Sequence, residues 1–204
     1  MKDLSLSDTL RYLFPGMVLC ICLYFEDKCF TISLFKNLGV LGVIAFVFSG
    51  SIMYLVYRAI IFNYIIMPVQ DCCRKKSGKN NHRTFLKDKY DKIKSSLDAQ
   101  LLWIQIKHDF LEDKYSQTMT ESASGVHLLY MAGIIAFGFF IANAVTRDCI
   151  QFWVFLGIAL IVLSAACLFN KTYEEIEYRF LCSLCDAKQW ELDQYIKRTL
   201  TDIT

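Results

Sequence analysis

Four long apolar stretches, each bounded by charged residues, dominate the pattern of hydrophobic and polar positions along the chain. They cover residues 10–25, 38–67, 126–145 and 150–169. A helix needs about 20 apolar residues to cross the hydrocarbon core of a bilayer. The last three stretches reach that length, and the first is shorter. The pattern therefore predicts an integral membrane protein with four crossing segments.

Each apolar stretch is predicted to be a helix. The stretches are continuous rather than alternating at every second residue, and a bilayer offers no partner to unpaired backbone groups. The expected fold class is all-α, a four-helix transmembrane bundle with a small cytoplasmic helical extension. Pro15 and Gly16 lie early in the first stretch, where proline removes a backbone donor. The first segment is therefore expected to be either a kinked crossing or a re-entrant or interfacial helix, whereas Pro68 is expected to end the second helix.

Lysine and arginine are unevenly distributed among the segments that connect the stretches. They are frequent after the second stretch, whereas the segment at residues 26–37 has only Lys28 and Lys36. Because positive residues near membrane ends collect on the cytoplasmic side, the long connection and both termini are predicted to be cytoplasmic. Four regions follow: a first transmembrane hairpin (1–70), a cytoplasmic helical insertion (71–121), a second transmembrane hairpin (122–170) and a cytoplasmic C-terminal helix (171–204).

The insertion has an apolar stripe at helical spacing. Residues 71–81 are polar and basic and are expected to form a linker, after which one helix of about 25 residues is predicted. The C-terminal helix repeats apolar residues at the same spacing, so the two are expected to pack as a small cytoplasmic bundle. The stripe is the predicted interface with a partner or with a second copy, and it consists of Tyr90, Ile93, Leu97, Leu101, Ile104 and Leu111.

Composition and charge add two further expectations. Hydrophobic residues make up 55% of the chain and charged residues 21%, below the quarter that is usual in soluble domains. Small residues within the apolar stretches are predicted to pack helices closely in lipid; these are Gly50, Gly133, Gly138 and Gly157. A basic strip is predicted to meet anionic headgroups, with nucleic acid contact as its alternative; it consists of Arg58, Arg74, Lys75, Lys76 and Lys79.

The chain offers little that indicates catalysis. Its nine cysteines include the pair Cys182 and Cys185, but a zinc site needs about four well-placed ligands, and no metal or cofactor is expected. Cys29 and Cys149 lie on the predicted outer side, where a disulfide is permitted. No carboxylate pair, Ser–Lys pair or histidine cluster lies at crossing depth, so a non-enzymatic role is expected. A small homo-oligomeric channel or pore is the alternative.

The layout resembles a group of bacterial proteins. Its features are Pro15-Gly16 early in the first stretch, Tyr54-x-x-Tyr57-Arg58 at the end of the second, Trp103 in the insertion and a Ser-rich segment before the third stretch. In these it resembles the small four-crossing accessory proteins of anti-phage loci, such as those that accompany type VI-B CRISPR ribonucleases. The resemblance implies a bacterial inner-membrane protein with a role in defence. Its implied partners are membrane lipids, further copies of itself and a cytoplasmic protein, and nucleic acid is not expected.

Overall fold

The structure is a computed structural model and describes residues 6–76, 80–111, 113–146 and 149–202. These residues are almost entirely helical and include no strand, which confirms the all-α class. The elements are α1 (Leu6–Glu26), α2 (Lys28–Leu38), α3 (Val40–Val56), a π-helical segment (Tyr57–Ile66), α4 (Met67–Lys76), α5 (His82–Lys89), α6 (Ser96–Phe110), α7 (Asp113–Thr146) and α8 (Cys149–Asp202).

Three helices in the described part of the chain are long and apolar enough to cross a membrane. They lie within Val40–Lys76, Gln117–Val145 and Ile150–Leu200. The apolar part of α1, Leu13–Glu26, is shorter. Membrane-crossing helices are therefore confirmed, by length and composition, for the last three apolar stretches, and the crossing by the first stretch stays a prediction.

Proline ends neither of the helices that contain it. α1 continues through Pro15 to Glu26. The prediction that Pro68 ends the second helix is wrong, because α4 runs from Met67 to Lys76. Pro68 is the second residue after the π-helical segment, in which the α-helical hydrogen-bond ladder is already interrupted, so its missing N–H costs less there than in a helix interior.

The chain divides into two compact units. Unit one comprises Met1–Arg58 and Thr120–Asn170, and unit two comprises Ala59–Met119 and Lys171–Thr204. Unit two thus begins before the boundary predicted at residue 70.

In unit one, α1 and α3 approach each other at two glycines. A Cβ atom added to Gly16 would lie 2.5 Å from the carbonyl oxygen of Phe46, and one added to Gly50 would lie 2.1 Å from the backbone nitrogen of Gly16. These distances are shorter than any real Cβ contact, so only glycine allows the two backbones to meet here. Gly50 therefore lies at a close helix contact of the kind predicted for it.

The contact between α7 and the first part of α8 combines one close approach with aromatic packing. A Cβ on Gly133 would lie 2.6 Å from the Leu163 side chain, and the rings of Phe139 and Phe155 stack with centroids 5.2 Å apart. Nothing lies within 4 Å of a Cβ built on Gly138 or Gly157. The packing predicted for these two glycines is therefore not seen within one chain, because the helix surface around each is open.

α2 is a short helix between α1 and α3. The Asp27 side chain accepts a hydrogen bond from the Phe30 N–H at 2.8 Å and caps its start. Gly39, at φ +50°, ends α2 and precedes α3, a conformation that few other residues adopt.

Unit two has its own apolar core, formed by α5, α6 and the last part of α8. The insertion is not the single helix of about 25 residues that the sequence predicts, because capping boxes at Asn81 and Ser95 start two separate helices. The chain between them leaves the helical conformation at Tyr90, the C-cap of α5. The core consists of Leu86, Ile93, Ala99, Leu102, Trp103, Ile106, Leu181, Leu184, Leu192 and Ile196.

The contact between α1 and α3 generates a stability prediction. In Gly50→Ala the new methyl group meets the Gly16 backbone and forces the helices apart, at a cost of about 1–3 kcal/mol. We expect a lower thermal midpoint for the full-length protein in detergent. Gly138→Ala is the matched control, because its methyl group enters open space. Equal midpoints for the two variants would show that the glycine contact does not stabilise unit one.

Candidate functional site

Among its described residues, unit two buries three carboxylates. Asp71 on α4 is 5% exposed, and Glu174 and Glu177 on α8 are 2% and 1% exposed. An unpaired carboxylate in such a place costs several kcal/mol, so each must be neutralised and hydrogen-bonded. We call these carboxylates, the groups that bind them and Gln100, which binds His82 and Arg83, the ion network; its other members are Arg74, Asn81, His82, Arg83, Lys87, Ser96, Trp103, Lys107 and Tyr173.

Asp71 anchors the start of α5. Its Oδ1 accepts hydrogen bonds from Asn81 Nδ2 at 2.8 Å and Arg83 Nε at 3.0 Å, and its Oδ2 accepts from Ser96 Oγ at 2.5 Å. Asn81 also caps α5 by accepting from the Thr84 N–H. One carboxylate on α4 thus fixes the beginnings of both α5 and α6.

Arg83 links α4 to α8. Its Nη2 lies 2.9 Å from Asp71 Oδ1 and 2.5 Å from Glu174 Oε1, and its side chain is 3% exposed. Burial by itself lowers the pKa of Arg83, but the carboxylates of Glu174 and Asp71 outweigh it and raise the pKa, so the guanidinium stays charged. Arg74 completes this part of the network with Nε 2.8 Å from Glu174 Oε2.

Glu177 is the centre of the second half of the network. Its Oε1 accepts hydrogen bonds from Trp103 Nε1 at 2.8 Å, from Lys107 Nζ at 2.7 Å and from the Tyr173 hydroxyl at 2.7 Å. Three donors on one carboxylate oxygen stabilise the ionised form of Glu177. The tryptophan that the sequence places in the insertion therefore serves as both a core ring and a polar anchor.

His82 lies fully buried between the two halves. Its Nε2 is 3.0 Å from Gln100 Oε1, its Nδ1 is 3.2 Å from Glu177 Oε2, and its ring centroid is 5.2 Å from that of Trp103. Burial lowers the pKa of His82 below its usual value of 6.5 and outweighs the opposite effect of Glu177, so the imidazole is neutral at neutral pH. With no exposed surface, this ring reaches no external substrate.

The network joins segments that are distant in the sequence, and its groups are engaged with one another. Its members come from α4, α5 with its N-cap Asn81, α6 and α8. The expectation that residues 71–81 form a linker is wrong for Asp71, Arg74 and Asn81, which make these buried contacts. The arrangement holds the helices of unit two together through ion pairs and hydrogen bonds. It presents neither an exposed nucleophile nor an open carboxylate pair among the described residues.

The predicted interface residues fall on two sides of the structure. Ile93 and Leu111 are buried, and the Tyr90 hydroxyl donates to Asp193 Oδ1 at 2.5 Å. Leu101 and Ile104 are 53% and 44% exposed. The break between α5 and α6 divides the stripe, because it rotates residues before and after it onto different faces. We call Leu97, Leu101 and Ile104 the outer face of α6.

The predicted basic strip also separates into engaged and exposed members. Arg74 belongs to the ion network, and in unit one Arg58 NH1 contacts the ring nitrogens of His127, whose Nδ1 is 3.0 Å from the Tyr57 hydroxyl. Lys75 and Lys76 are exposed, and Lys79 lies outside the described residues. A lipid-facing role for the strip therefore concerns the two exposed lysines.

The cysteines give no metal centre in the described part of the chain. No group of three or more His, Cys, Asp or Glu side chains there is placed to hold a metal ion. Cys72 and Cys73 are exposed on α4, and Cys182 and Cys185 are half-buried on α8. The side chain of Cys149 lies outside the described residues, so the pairing with Cys29 stays open.

The sequence pattern does not identify the buried ionic residues that hold unit two together. Asp71, Arg83, Glu174 and Glu177 were not selected, because charged residues outside apolar stretches are normally exposed. One signal was present: Glu174 and Glu177 lie three residues apart on one helix face, just after an apolar stretch and in the same protein as a basic insertion.

No protein-family model matches the chain, and comparisons with curated proteins and with solved structures give no significant match.

The ion network predicts which arginine is indispensable. Arg83→Met leaves Asp71 and Glu174 buried without their shared cation and is expected to cost about 3–5 kcal/mol, which lowers the thermal midpoint by at least about 6 °C. The control is Arg179→Met, because the ion pair of Arg179 with Glu175 is exposed. A similar midpoint for both variants would contradict the importance of the network.

His82 predicts how stability depends on pH. The folded protein keeps His82 neutral, whereas the unfolded chain takes up a proton below about pH 6.5, so the free energy of unfolding should fall as the pH drops from 7.5 to 5.5. His82→Gln should weaken this dependence, measured as the change in thermal midpoint with pH. His108→Gln is the control, because its side chain is 86% exposed. An unchanged slope in His82→Gln would refute the assignment.

Proposed function

We propose that this chain is a non-enzymatic inner-membrane protein that crosses the bilayer four times and self-associates through unit two, with an accessory or effector role in anti-phage defence. Both termini and unit two lie in the cytoplasm in this proposal. The defence role rests on the resemblance to small four-crossing accessory proteins. The crossings and the self-association rest on features of the structure.

The length and contacts of α1 support a fourth crossing. The whole of α1 measures about 32 Å at 1.5 Å per residue, and its apolar part, Leu13–Glu26, supplies about 21 Å of that length. Gly16 meets α3, which begins the membrane-length segment Val40–Lys76, in a backbone contact that is typical of helices packed in lipid. Four crossings also return both termini to the same side, as the distribution of positive residues predicts.

The outer face of α6 is the observation that carries the proposed self-association. Leu101 and Ile104 are exposed three residues apart, and Leu97 continues the same face one turn earlier. The other side of α6 packs its core residues Leu102, Trp103 and Ile106, so the exposed leucine and isoleucine are not needed for the fold of unit two. Exposed neighbouring apolar side chains on a rigid helix favour a contact surface.

A second copy fits this face better than other occupants do. Two chains in one membrane hold their α6 helices at the same height, so a two-fold axis along the membrane normal brings identical faces together. Apolar side chains at spacings of three and four are self-complementary in such a pair, because ridges from one helix fill grooves of the other. The buried charges of unit two stay within each copy and play no part in the contact.

Photo-cross-linking tests the self-association. With p-benzoylphenylalanine in place of Leu101, irradiation of cells should give a covalent species at twice the chain mass of 23.6 kDa, containing only this protein. The same group in place of Arg179, a position with a 77% exposed side chain, should give little of it. A product with another protein alone, or equal yields at both positions, would reject self-association through α6.

The paired substitution Leu101→Asp and Ile104→Asp connects this contact to function. It should lower the dimer fraction in detergent, without a loss of helix content by circular dichroism, and abolish phage protection in cells that carry the gene with its natural neighbours. Unchanged phage plating after deletion of the gene would reject the defence role. Reproducible single-channel steps in planar bilayers would instead favour the channel alternative.

A further inference from the structure

An exposed apolar face runs along the first part of unit two, from the π-helical segment onto α4. On the π-helical segment, Tyr64 and Ile65 are 69% and 55% exposed. On α4, Val69 is 57% exposed, and Cys72 and Cys73 are exposed as well. Because a cysteine thiol behaves as a small apolar group, this face presents mainly hydrocarbon, aromatic and thiol surface.

α4 has one side in the ion network and one side that the described chain leaves uncovered. Asp71 is 5% exposed and binds Arg83. Val69 and Cys73 lie two residues before and after Asp71, which places them on the opposite side of the helix. The ion network therefore fixes α4 through one side, and the apolar side is not needed to hold unit two together.

The length of the preceding helical segments places α4 at the edge of a bilayer. α3 has 17 residues and the π-helical segment has ten, whereas about 20 apolar residues are enough to cross a hydrocarbon core. A crossing that begins at Val40 is therefore complete before α4 begins at Met67. Tyr64 lies near the end of this crossing, and tyrosine rings are common at the membrane–water interface.

The charge on this part of the chain is positive. Residues 59–76 include one acidic residue, Asp71, which is buried against Arg83. Lys75 and Lys76 end α4 and are exposed, and neither forms an ion pair in the part of the chain that the structure describes. The ion network does not offset these two lysines, because its three carboxylates already bind two arginines and two other lysines.

We propose that the exposed face of α4 lies in the cytoplasmic interface of the membrane and binds anionic phospholipids through Lys75 and Lys76. Val69, Cys72 and Cys73 then enter the boundary between headgroups and acyl chains, while the lysine ammonium groups reach the phosphates. A second copy fits this face less well, because a two-fold axis would bring like charges together. The contact uses the cytoplasmic placement in the proposed function, but neither the self-association through α6 nor the defence role.

Photo-cross-linking to lipid tests this contact in the full-length protein. With p-benzoylphenylalanine in place of Val69, the protein is reconstituted in vesicles of equal parts phosphatidylglycerol and phosphatidylcholine and is then irradiated. Mass spectrometry should find an attached phospholipid, with phosphatidylglycerol enriched at least about fivefold, the factor expected for one lysine at an anionic surface. The same group in place of Ile161, which is 72% exposed within the last apolar stretch, should cross-link both lipids equally.

Two double variants locate the charge that selects the lipid. Lys75→Gln with Lys76→Gln should remove the enrichment at position 69 while cross-linking continues, because the apolar face is unchanged. The matched control is Arg179→Gln with Lys188→Gln, which removes two exposed cations of α8 and should keep the enrichment. Circular dichroism checks that each variant retains its helices.

The remaining outcomes overturn the proposal. A product at twice the chain mass in place of the lipid adduct would assign the face of α4 to a second copy. The absence of any adduct at position 69 would show that the face lies in water. Equal yields of the two lipids without the lysine substitutions, or an equal loss of enrichment in both double variants, would contradict the role of Lys75 and Lys76.

Discussion

The pairing of buried charge is the constraint on which unit two depends. Asp71, Glu174 and Arg83 are each almost fully buried, and none is stable there without the others. Because removing one partner leaves an uncompensated charge, α4, α5 and α8 have to come together in one arrangement. Glu177 adds the same requirement for α6 through Trp103 and Lys107. We infer that the ion network selects the arrangement of these helices, while the apolar core supplies the larger share of the stabilisation.

Unit one meets a different constraint, since lipid offers apolar side chains no gain from leaving water. Its helices are held by close approach, as at Gly16 and Gly50, and by aromatic contacts such as Phe139 with Phe155. Exposed apolar side chains are ordinary in that setting. The same exposure on α6 has another meaning in our proposal, in which unit two lies in the cytoplasm, because a helix in water gains by covering Leu101 and Ile104. Exposed apolar side chains therefore favour contact with lipid in unit one and contact with protein on α6.

The polar groups of unit two serve the fold, and this limits what the protein does. In an open cleft, His82 and Glu177 could serve as an acid–base pair, but both are buried in the core of unit two. We propose that the protein acts instead through its surface, with the outer face of α6 toward a second copy.

The sequence by itself determined the helical class, the three long apolar helices and the sharing of a core by the insertion and the C-terminal helix, because continuous hydrophobicity and helical spacing are local properties. The spacing predicts that Leu101 lies on the same face as Ile93. This is wrong, because the capping box at Ser95 starts a separate helix and interrupts the stripe. The partners of Asp71 and Glu174 were decided only by the tertiary structure. Glu174 lies 100 residues from Arg74 and 91 residues from Arg83, and nothing local distinguishes a carboxylate that will be buried from one that faces water.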